Sequence, residues 1–236
     1  MTDFYTRLAS YYDQMYSFKD YKSESEKLHE VIQQFKKSNG NRLLDVACGT
    51  GGHLIFLREN YEVTGLDASK EMLAVARKKL EDIPLLHASM VDMELTSEFD
   101  VITCLFGSIG YLATLGELTR AIRSFAKHLT SGGVLILEPI FTKETVKKTS
   151  MGLSSVDLPD IKIARVNSTR VEEDTAYLNF HFLVATRDGV EHFVDPSPMG
   201  VFPRNRFIEI MEDSGLSSEF VEPGLSKEGL FIGVKN

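Results

Sequence analysis

A glycine-rich turn is the first segment of the chain whose residues could support chemistry. It lies in LLDVACGTGGHL, from Leu43 to Leu54, where three glycines follow an apolar run. Glycine lets a backbone bend sharply and lets a ligand approach it closely. The apolar residues after the turn are spaced as in a helix, and the first N–H groups of a helix have no partner within the helix. The turn therefore predicts a ligand-binding site where a strand ends and a helix begins.

A carboxylate stands at a spacing from this turn that suits a nucleoside. Asp67 ends the apolar segment VTGLD, 16 residues after Gly51 and 18 after Gly49, and could accept hydrogen bonds from both ribose hydroxyls. The glycines follow G-x-G-G and not G-x-G-x-x-G, which disfavours an NAD-dependent oxidoreductase. Asp45 would repel a pyrophosphate but attract a cation. S-adenosylmethionine, which carries a sulfonium and an ammonium, fits these residues better than NAD.

Alternating strands and helices must position these residues. Between residues 41 and 140, short apolar runs alternate with segments of helical spacing, as in a doubly wound parallel sheet. Two further strands, in SSEFVEP and GLFIGVKN, bring the predicted number of strands to seven. We therefore predict an α/β fold with a doubly wound, mostly parallel, seven-stranded sheet.

The pattern changes after Pro139. Apolar and polar residues then alternate as in antiparallel hairpins, and Pro196, Pro198 and Pro203 should break the stretch that follows. This change predicts a β-rich insertion after the fifth strand, facing the substrate. The predicted divisions are an N-terminal helical lid (1–40), a cofactor-binding core (41–140 and 203–236) and the insertion (141–202).

Composition restricts the classes of function. The chain has 236 residues, 43% hydrophobic and 25% charged, as in a soluble globular protein. No apolar run reaches the ~18 residues that cross a bilayer, and the first residues do not resemble a signal peptide. The net charge of −8 disfavours a nucleic-acid partner, because phosphate binding needs a basic face. We therefore expect a cytoplasmic protein with neither membrane nor nucleic acid as a partner.

Five segments resemble the motifs of class I S-adenosylmethionine-dependent methyltransferases. They are LLDVACGTGGHL, VTGLDASKEMLAVAR, FDVITCLFGSIGYL, LTSGGVLILEP and GLFIGVKN. Within that class, VACGTG, SIGYL and GLFIGV are similar to the N-methyltransferases that dimethylate nucleotide-linked amino sugars, of the desosamine and mycaminose type. The resemblance covers most of the chain, with the insertion matching least. It implies a Rossmann-like methyltransferase fold with S-adenosylmethionine as cofactor.

The resemblance also implies positions that bind the cofactor. Asp67 would bind the ribose diol, and Phe106 would face the sulfonium and its methyl group. The N-terminal helix would cover the cofactor with Tyr12 and Tyr16. The remaining implied positions are Ala47, Gly49 and Gly51 at the methionine moiety, and Ala68, Met72, Ser89 and Met90 at the adenine.

The methyl acceptor implied by the resemblance is a small molecule with an amine nitrogen. In the amino-sugar group a histidine commonly follows the SIG turn, where this chain has Tyr111. Tyr111 and His181 are the candidate catalytic residues. Further candidates on the acceptor side are Tyr177, Asn179, Arg165 and Arg170, with Arg204 and Arg206 for an anionic group such as a diphosphate.

Other functions stay open at the level of sequence. A methyltransferase acting on protein or RNA, or a non-catalytic S-adenosylmethionine-binding protein, would carry the same motifs. A metal site is not expected, because His87, His128 and His192 lack the spacing of metal ligands. The β-rich insertion could also pair two subunits, so a homodimer is predicted.

Overall fold

The computed structural model describes residues 3–225 and 227–236, and it contains two β-sheets. The larger sheet has seven strands, and all neighbours among its first five strands run parallel. In chain order the strands are β1 (Arg42–Val46), β2 (Glu62–Asp67), β3 (Leu85–His87), β4 (Phe99–Cys104), β5 (Leu129–Leu137), β10 (Leu216–Val221) and β11 (Leu230–Lys235).

The strand order of this sheet is β10-β11-β5-β4-β1-β2-β3. From β1 the chain builds outward through β2 to β3, and it then returns to the other side of β1 with β4. The carboxyl ends of β1 and β4 therefore form the switch point, where open parallel sheets bind ligands. The last strand, β11, is antiparallel to β5. The predicted doubly wound, mostly parallel sheet of seven strands is confirmed.

Helices cover both faces of this sheet. Leu43 and Leu44 are adjacent in β1 and both fully buried, one in each of the two apolar clusters that flank the sheet. Both faces must be covered by helices to bury such a strand. The helices are α1 (Asp3–Arg7), α2 (Tyr12–Met15), α3 (Tyr21–Phe35), α4 (Leu54–Leu57), α5 (Lys70–Lys79), α6 (Leu115–Lys127) and α7 (Arg204–Asp213). Among the described residues, none of these helices is long and apolar enough to span a bilayer.

The smaller sheet is an antiparallel meander in the order β6-β7-β8-β9, which confirms the β-rich insertion after the fifth strand. Pro196 and Pro198 do not interrupt it, contrary to our expectation. Both lie in β9, which is an edge strand, and proline is tolerated at an edge because one side of that strand needs no N–H donor. The four strands are β6 (Thr149–Asp157), β7 (Lys162–Glu172), β8 (Thr175–Thr186) and β9 (Gly189–Gly200).

The N-terminal segment, residues 3–20, lies between the two sheets. Phe4 stacks on Phe182 of β8 with ring centroids 5.3 Å apart. Asp13 accepts a hydrogen bond from Thr50 Oγ1 at 2.6 Å and one from Lys79 Nζ at 2.6 Å. The segment is thus joined to the small sheet by aromatic packing and to the glycine turn and α5 by a carboxylate. Residues 1 and 2 of the predicted lid lie outside the described residues.

Candidate active site

A cavity of about 700 Å³ lies beyond the carboxyl ends of β1 and β2. One end, here the turn end, is lined by residues that end β2 or follow β1, β2 and β3: Ala47, Gly49, Asp67, Ala68, Ser69, Met72 and Met90. The other end, here the edge end, is lined by Tyr5, Ser108, Tyr111 and residues 194–198 of β9. Tyr12 also lines the cavity, so three distant regions of the chain enclose it.

A second, smaller cavity of about 30 Å³ adjoins the first beside the glycine turn. Both cavities are lined by Tyr12, Ala47, Gly49 and Ser108, which therefore mark the junction between them. The smaller cavity is further lined by Asp45, Thr50, His53 and Phe106. An elongated ligand could extend from the turn end, past Tyr12, to Asp45.

Asp67 fixes the backbone of the turn end by two hydrogen bonds. Its Oδ2 accepts a hydrogen bond from the N–H of Gly49 at 2.8 Å, and its Oδ1 accepts one from the N–H of Ser69 at 2.7 Å. Gly49 has a φ of +58°, which favours glycine, and a Cβ there would lie 3.3 Å from Met72 Cε. Burial raises the pKa of Asp67. Because each carboxylate oxygen has a second lone pair, Asp67 can still accept from two ligand hydroxyls.

Asp45 supplies a second buried carboxylate, at the far side of the junction. It is only 2% exposed and accepts a hydrogen bond from Thr103 Oγ1 at 2.8 Å. Burial raises its pKa to about 6, so a nearby cation would favour its ionised form. The smaller cavity is therefore suited to the ammonium group of an amino acid moiety.

Hydrogen-bonded polar side chains contact two residues that line the smaller cavity, His53 and Phe106. Lys19 Nζ donates to Glu24 Oε1 at 2.6 Å, and Glu24 Oε2 lies 2.8 Å from His53 Nε2. Lys19 Nζ also lies 4.0 Å from the centroid of the Phe106 ring. Phe106, at a φ of +53°, donates its backbone N–H to Glu138 Oε2 at 2.7 Å. These contacts fix Phe106 against the N-terminal segment.

Aromatic hydroxyls and a carboxylate meet at the edge end. The hydroxyls of Tyr5 and Tyr111 are 2.7 Å apart, and burial raises the pKa of Tyr111 to about 12. Asp195 is 2% exposed, and its Oδ2 accepts the backbone N–H of Phe4 at 3.2 Å. The edge end therefore joins the start of the N-terminal segment to β9 and to the turn after β4.

Most of the predicted cofactor positions line one of the two cavities, but three do not. Gly51 has a φ of +79° and shapes the turn from behind. Ser89 is exposed, and its neighbours Ala88 and Met90 line the cavity instead. Tyr16 packs on the ring of Phe106, with centroids 5.2 Å apart, and accepts a hydrogen bond from Arg165 at 2.8 Å. Its part in the site is thus to support Phe106.

The structure does not bring His181 to the cavity. Side chains alternate along β8, and Phe182 is buried against Phe4, so His181 projects from the opposite face. Its Nδ1 lies 3.2 Å from Nε2 of His192 on that exposed face.

The remaining acceptor-side candidates also lie outside the cavity lining. Tyr177 and Asn179 share the alternation that places His181, and Arg170 forms an ion pair with Glu172 at 3.2 Å. Arg204 pairs with Glu222 at 2.5 Å, and Arg206 pairs with Glu209.

Several residues of the edge end were missed by the sequence analysis, among them Tyr5, Ser108 and Asp195. Of these three residues, only Asp195 could have been recognised from the sequence pattern. Asp195 lies in a segment with the alternation of a strand, directly opposite Phe180. The side chain of Phe180 lies on the same face of the sheet as that of Phe182, so Asp195 also lies on the inward face. An acidic residue at an inward position of a strand is unusual unless it has a partner or a ligand.

Comparison with known proteins gives consistent matches along the whole chain. The family described as "Methyltransferase domain" matches residues 43–133. A dTDP-3-amino-3,4,6-trideoxy-alpha-D-glucopyranose N,N-dimethyltransferase of Streptomyces venezuelae is 36% identical, over 96% of this chain and 97% of its own length. The crystal structure of DesVI, also from Streptomyces venezuelae, matches with a TM-score of 0.89 and 35% identity, over 97% of this chain and 98% of that one.

A third match was solved with S-adenosylmethionine bound. It is CalS10, an amino pentose methyltransferase from Micromonospora echinaspora, with a TM-score of 0.83 and 29% identity. The match covers 98% of this chain and 97% of the chain of CalS10. The similarity thus includes the N-terminal segment and the small sheet, beyond the methyltransferase core alone.

Proposed function

Because the chain belongs to the S-adenosylmethionine-dependent methyltransferases of the amino-sugar N,N-dimethyltransferase family, we propose that it methylates the amino nitrogen of a nucleotide-linked amino sugar. The observation that carries this proposal is a single cavity with two chemically different ends. The turn end suits a nucleoside, and the edge end leaves room for a second molecule beside it. Both ends are needed for a group transfer between two substrates.

The residues of the turn end and of the smaller cavity fit S-adenosylmethionine. Asp67 would accept from the ribose hydroxyls, and Met72 and Met90 would border the adenine. Asp45 would receive the ammonium, and Tyr12 at the junction would present an aromatic ring to the sulfonium. The bound cofactor would supply a methyl group on a cationic sulfur: an amine nitrogen can bond to this carbon as the C–S bond breaks, which leaves a neutral thioether and a methylated ammonium that loses its proton to solvent.

The chain's own contribution is to orient the amine and to exclude water. Holding a nucleophile in line with the methyl group can account for about 7–11 kcal/mol of the barrier. Tyr5, Tyr12 and Tyr111 reach the cavity from three separate elements and are all partly buried. Because the pKa of Tyr111 is raised to about 12, Tyr111 stays neutral at pH 7 and acts by hydrogen bonding. Tyr111 is therefore proposed as an orienting residue and not as a base.

The charge of the cavity favours an amine over a phosphate in contact with its walls. Asp67 and Asp195 are the charged residues among those that line the larger cavity, and no lysine or arginine belongs to that set in the described part of the chain. A diphosphate would therefore extend toward solvent while the sugar enters. This arrangement also disfavours RNA, whose phosphates need basic contacts.

A panel of acceptors tests the proposal. The purified protein is incubated with S-adenosylmethionine and dTDP-3-amino-3,4,6-trideoxyglucose, its 3-hydroxy counterpart, peptides or RNA. The products are then identified by mass spectrometry. We expect two successive methyl additions on the amino sugar alone. Methylation of only peptide or RNA would support the alternative acceptors, and cofactor binding without any turnover would indicate a non-catalytic protein.

The predicted homodimer and cytoplasmic location remain proposals. On the exposed face of the small sheet, Met151, Leu153 and Val190 are 90%, 76% and 72% exposed, which favours a second copy over solvent as their neighbour. Sedimentation equilibrium of the wild type and of Leu153→Glu tests the dimer. A monomeric wild type at micromolar concentration would contradict it.

A further inference from the structure

An arginine of the small sheet faces the N-terminal segment without an acidic partner. Arg165, on β7, is half-buried, and its Nη1 donates to the hydroxyl of Tyr16 at 2.8 Å. Its Nε is buried and has no hydrogen-bond partner, and within the described residues no carboxylate pairs with the guanidinium. The other arginines considered for the acceptor side, Arg170, Arg204 and Arg206, each pair with a glutamate. Because a cation withdrawn from water is costly without a counter-ion, Arg165 is suited to bind an anionic ligand.

The neighbours of Arg165 on the inward face of the small sheet are uncharged. Ser154 lies opposite it on β6, and Phe182 lies opposite it on β8. Ile163 and Asn167 are the next residues on the same face of β7, because side chains alternate along a strand. These neighbours therefore leave the positive charge of Arg165 available to a ligand.

Two aromatic rings hold the guanidinium of Arg165 in place. Its Cζ lies 5.2 Å from the centroid of the Tyr16 ring and 5.5 Å from that of the Phe180 ring. Aromatic rings attract a guanidinium at these distances. The two rings and the hydrogen bond to Tyr16 restrict the orientation of the planar group, so its remaining N–H groups are positioned before a ligand binds. A planar fork held in this way matches phosphate oxygens, which it can bind through two parallel hydrogen bonds.

Arg165 adjoins the cavity without lining it. The ring of Tyr16 packs on the rings of Tyr12 and Phe106, with centroids 4.6 Å and 5.2 Å apart. Tyr12 lines both cavities, and Phe106 lines the smaller one. One aromatic side chain thus separates Arg165 from the cavity wall. A ligand that fills the cavity and extends past Tyr12 would come within reach of Arg165.

We propose that Arg165 binds the diphosphate of the nucleotide-linked acceptor, outside the cavity that receives the sugar. This assignment rests on the proposed function, and it supplies the anion-binding group that the lining of the larger cavity lacks. A hydrogen bond between a guanidinium and a phosphate is roughly twice as strong as one between neutral groups. Because Arg165 also donates to Tyr16, a diphosphate bound there would help to fix the N-terminal segment over the cofactor.

The test compares dTDP with thymidine, which has the same base and sugar but no phosphate. Calorimetry on protein saturated with S-adenosylhomocysteine gives the Kd of dTDP, and NMR titration at millimolar concentration gives that of thymidine. Arg165→Met removes the charge and keeps an apolar stem, whereas Arg165→Lys keeps the charge and loses the fork. Arg187→Met is the control, because it removes one charge from an exposed pair with Asp160.

The wild type and Arg187→Met should bind dTDP equally, and Arg165→Met should bind it about 10-fold to 100-fold more weakly, as for a lost hydrogen bond between charged groups. Arg165→Lys should lie between them, and the Kd of thymidine should be the same in all four proteins. An unchanged Kd of dTDP in folded Arg165→Met, or an equal loss of thymidine and dTDP, would overturn the role of Arg165 alone. A wild type that binds neither dTDP nor the amino sugar would overturn the proposed acceptor class and this assignment with it.

Discussion

The two ends of the cavity are built from different kinds of structure. The turn end consists of strand ends and one glycine turn, and its shape is fixed by local hydrogen bonds from Gly49 and Ser69 to Asp67. The edge end is assembled from segments more than 80 residues apart, with Tyr5 meeting Tyr111 and Phe4 meeting Asp195. A site for a common cofactor can therefore remain constant while the acceptor site changes with packing between distant segments.

The largest expected effect comes from removing the part that joins the two ends. Deleting residues 1–17 takes away Tyr5, Tyr12 and the contact of Asp13 with the glycine turn. We expect kcat/KM to fall by at least about 100-fold, because the acceptor is no longer held in line and water enters. Homocysteine release measures this loss, and a cooperative unfolding transition verifies that the core is folded. Full activity of the shortened protein would show that the segment is not a lid.

The ionised carboxylate of Asp45, on the cofactor side of the site, should lower the free energy of unfolding. Its pKa is raised from 3.8 to about 6 by burial, so the folded state binds the proton more tightly than the unfolded state. Its contribution to the free energy of unfolding therefore falls as the pH rises from about 4 to about 6. Asp45→Asn should be more stable than the wild type by about 2–3 kcal/mol at pH 7 and equal to it near pH 4. Urea unfolding at both pH values measures the difference, and a constant difference would contradict it.

Asp67→Ala should affect the turn end without affecting the edge end. The variant would lose the proposed charged acceptor for two ribose hydroxyls, and we expect S-adenosylhomocysteine to bind more weakly by about 1–3 kcal/mol. Calorimetry measures the Kd, with acceptor KM at saturating cofactor as the comparison. Unchanged cofactor affinity in a folded variant would remove Asp67 from the site.

Tyr111→Phe should have a smaller effect, on the edge end alone. It removes one hydrogen bond to Tyr5 and keeps the ring, so kcat/KM for the acceptor should fall by about 3-fold to 10-fold. Tyr5→Phe and the double variant complete a cycle, in which the two losses should not add. Additive losses would mean that the two hydroxyls act independently.

The smallest effect is expected at His181. Its side chain lies on the exposed face of the small sheet, so His181→Ala should leave kcat/KM unchanged and shift stability by less than about 0.5 kcal/mol. The same assay with the amino sugar measures this. A tenfold loss of activity would mean that the exposed face contributes to catalysis, contrary to the geometry.

The same division explains what could be predicted from the sequence. The glycine turn and Asp67 lie in one short stretch with fixed spacing, so local pattern was enough to locate them. His181 and Asp195 lie on opposite faces of one sheet, so the face that packs toward the cavity decides which of them can reach it. Two-residue turns at 173–174 and 187–188 fix the register of β8, but the choice of face comes from the packing of Phe182 on Phe4. Long-range packing therefore limited the prediction of the edge end.

The prolines of β9 have a consequence for which molecules can dock beside the cavity. Pro196 and Pro198 line it, and neither has a backbone N–H. Strand edges commonly capture extended peptides by backbone hydrogen bonding, and such edges also promote aggregation when they are left open. Two missing donors within three residues prevent a continuous ladder from forming along this wall. An extended peptide would therefore lack two of the backbone hydrogen bonds that an ordinary strand edge donates, so this wall favours ligands that bind through their own functional groups.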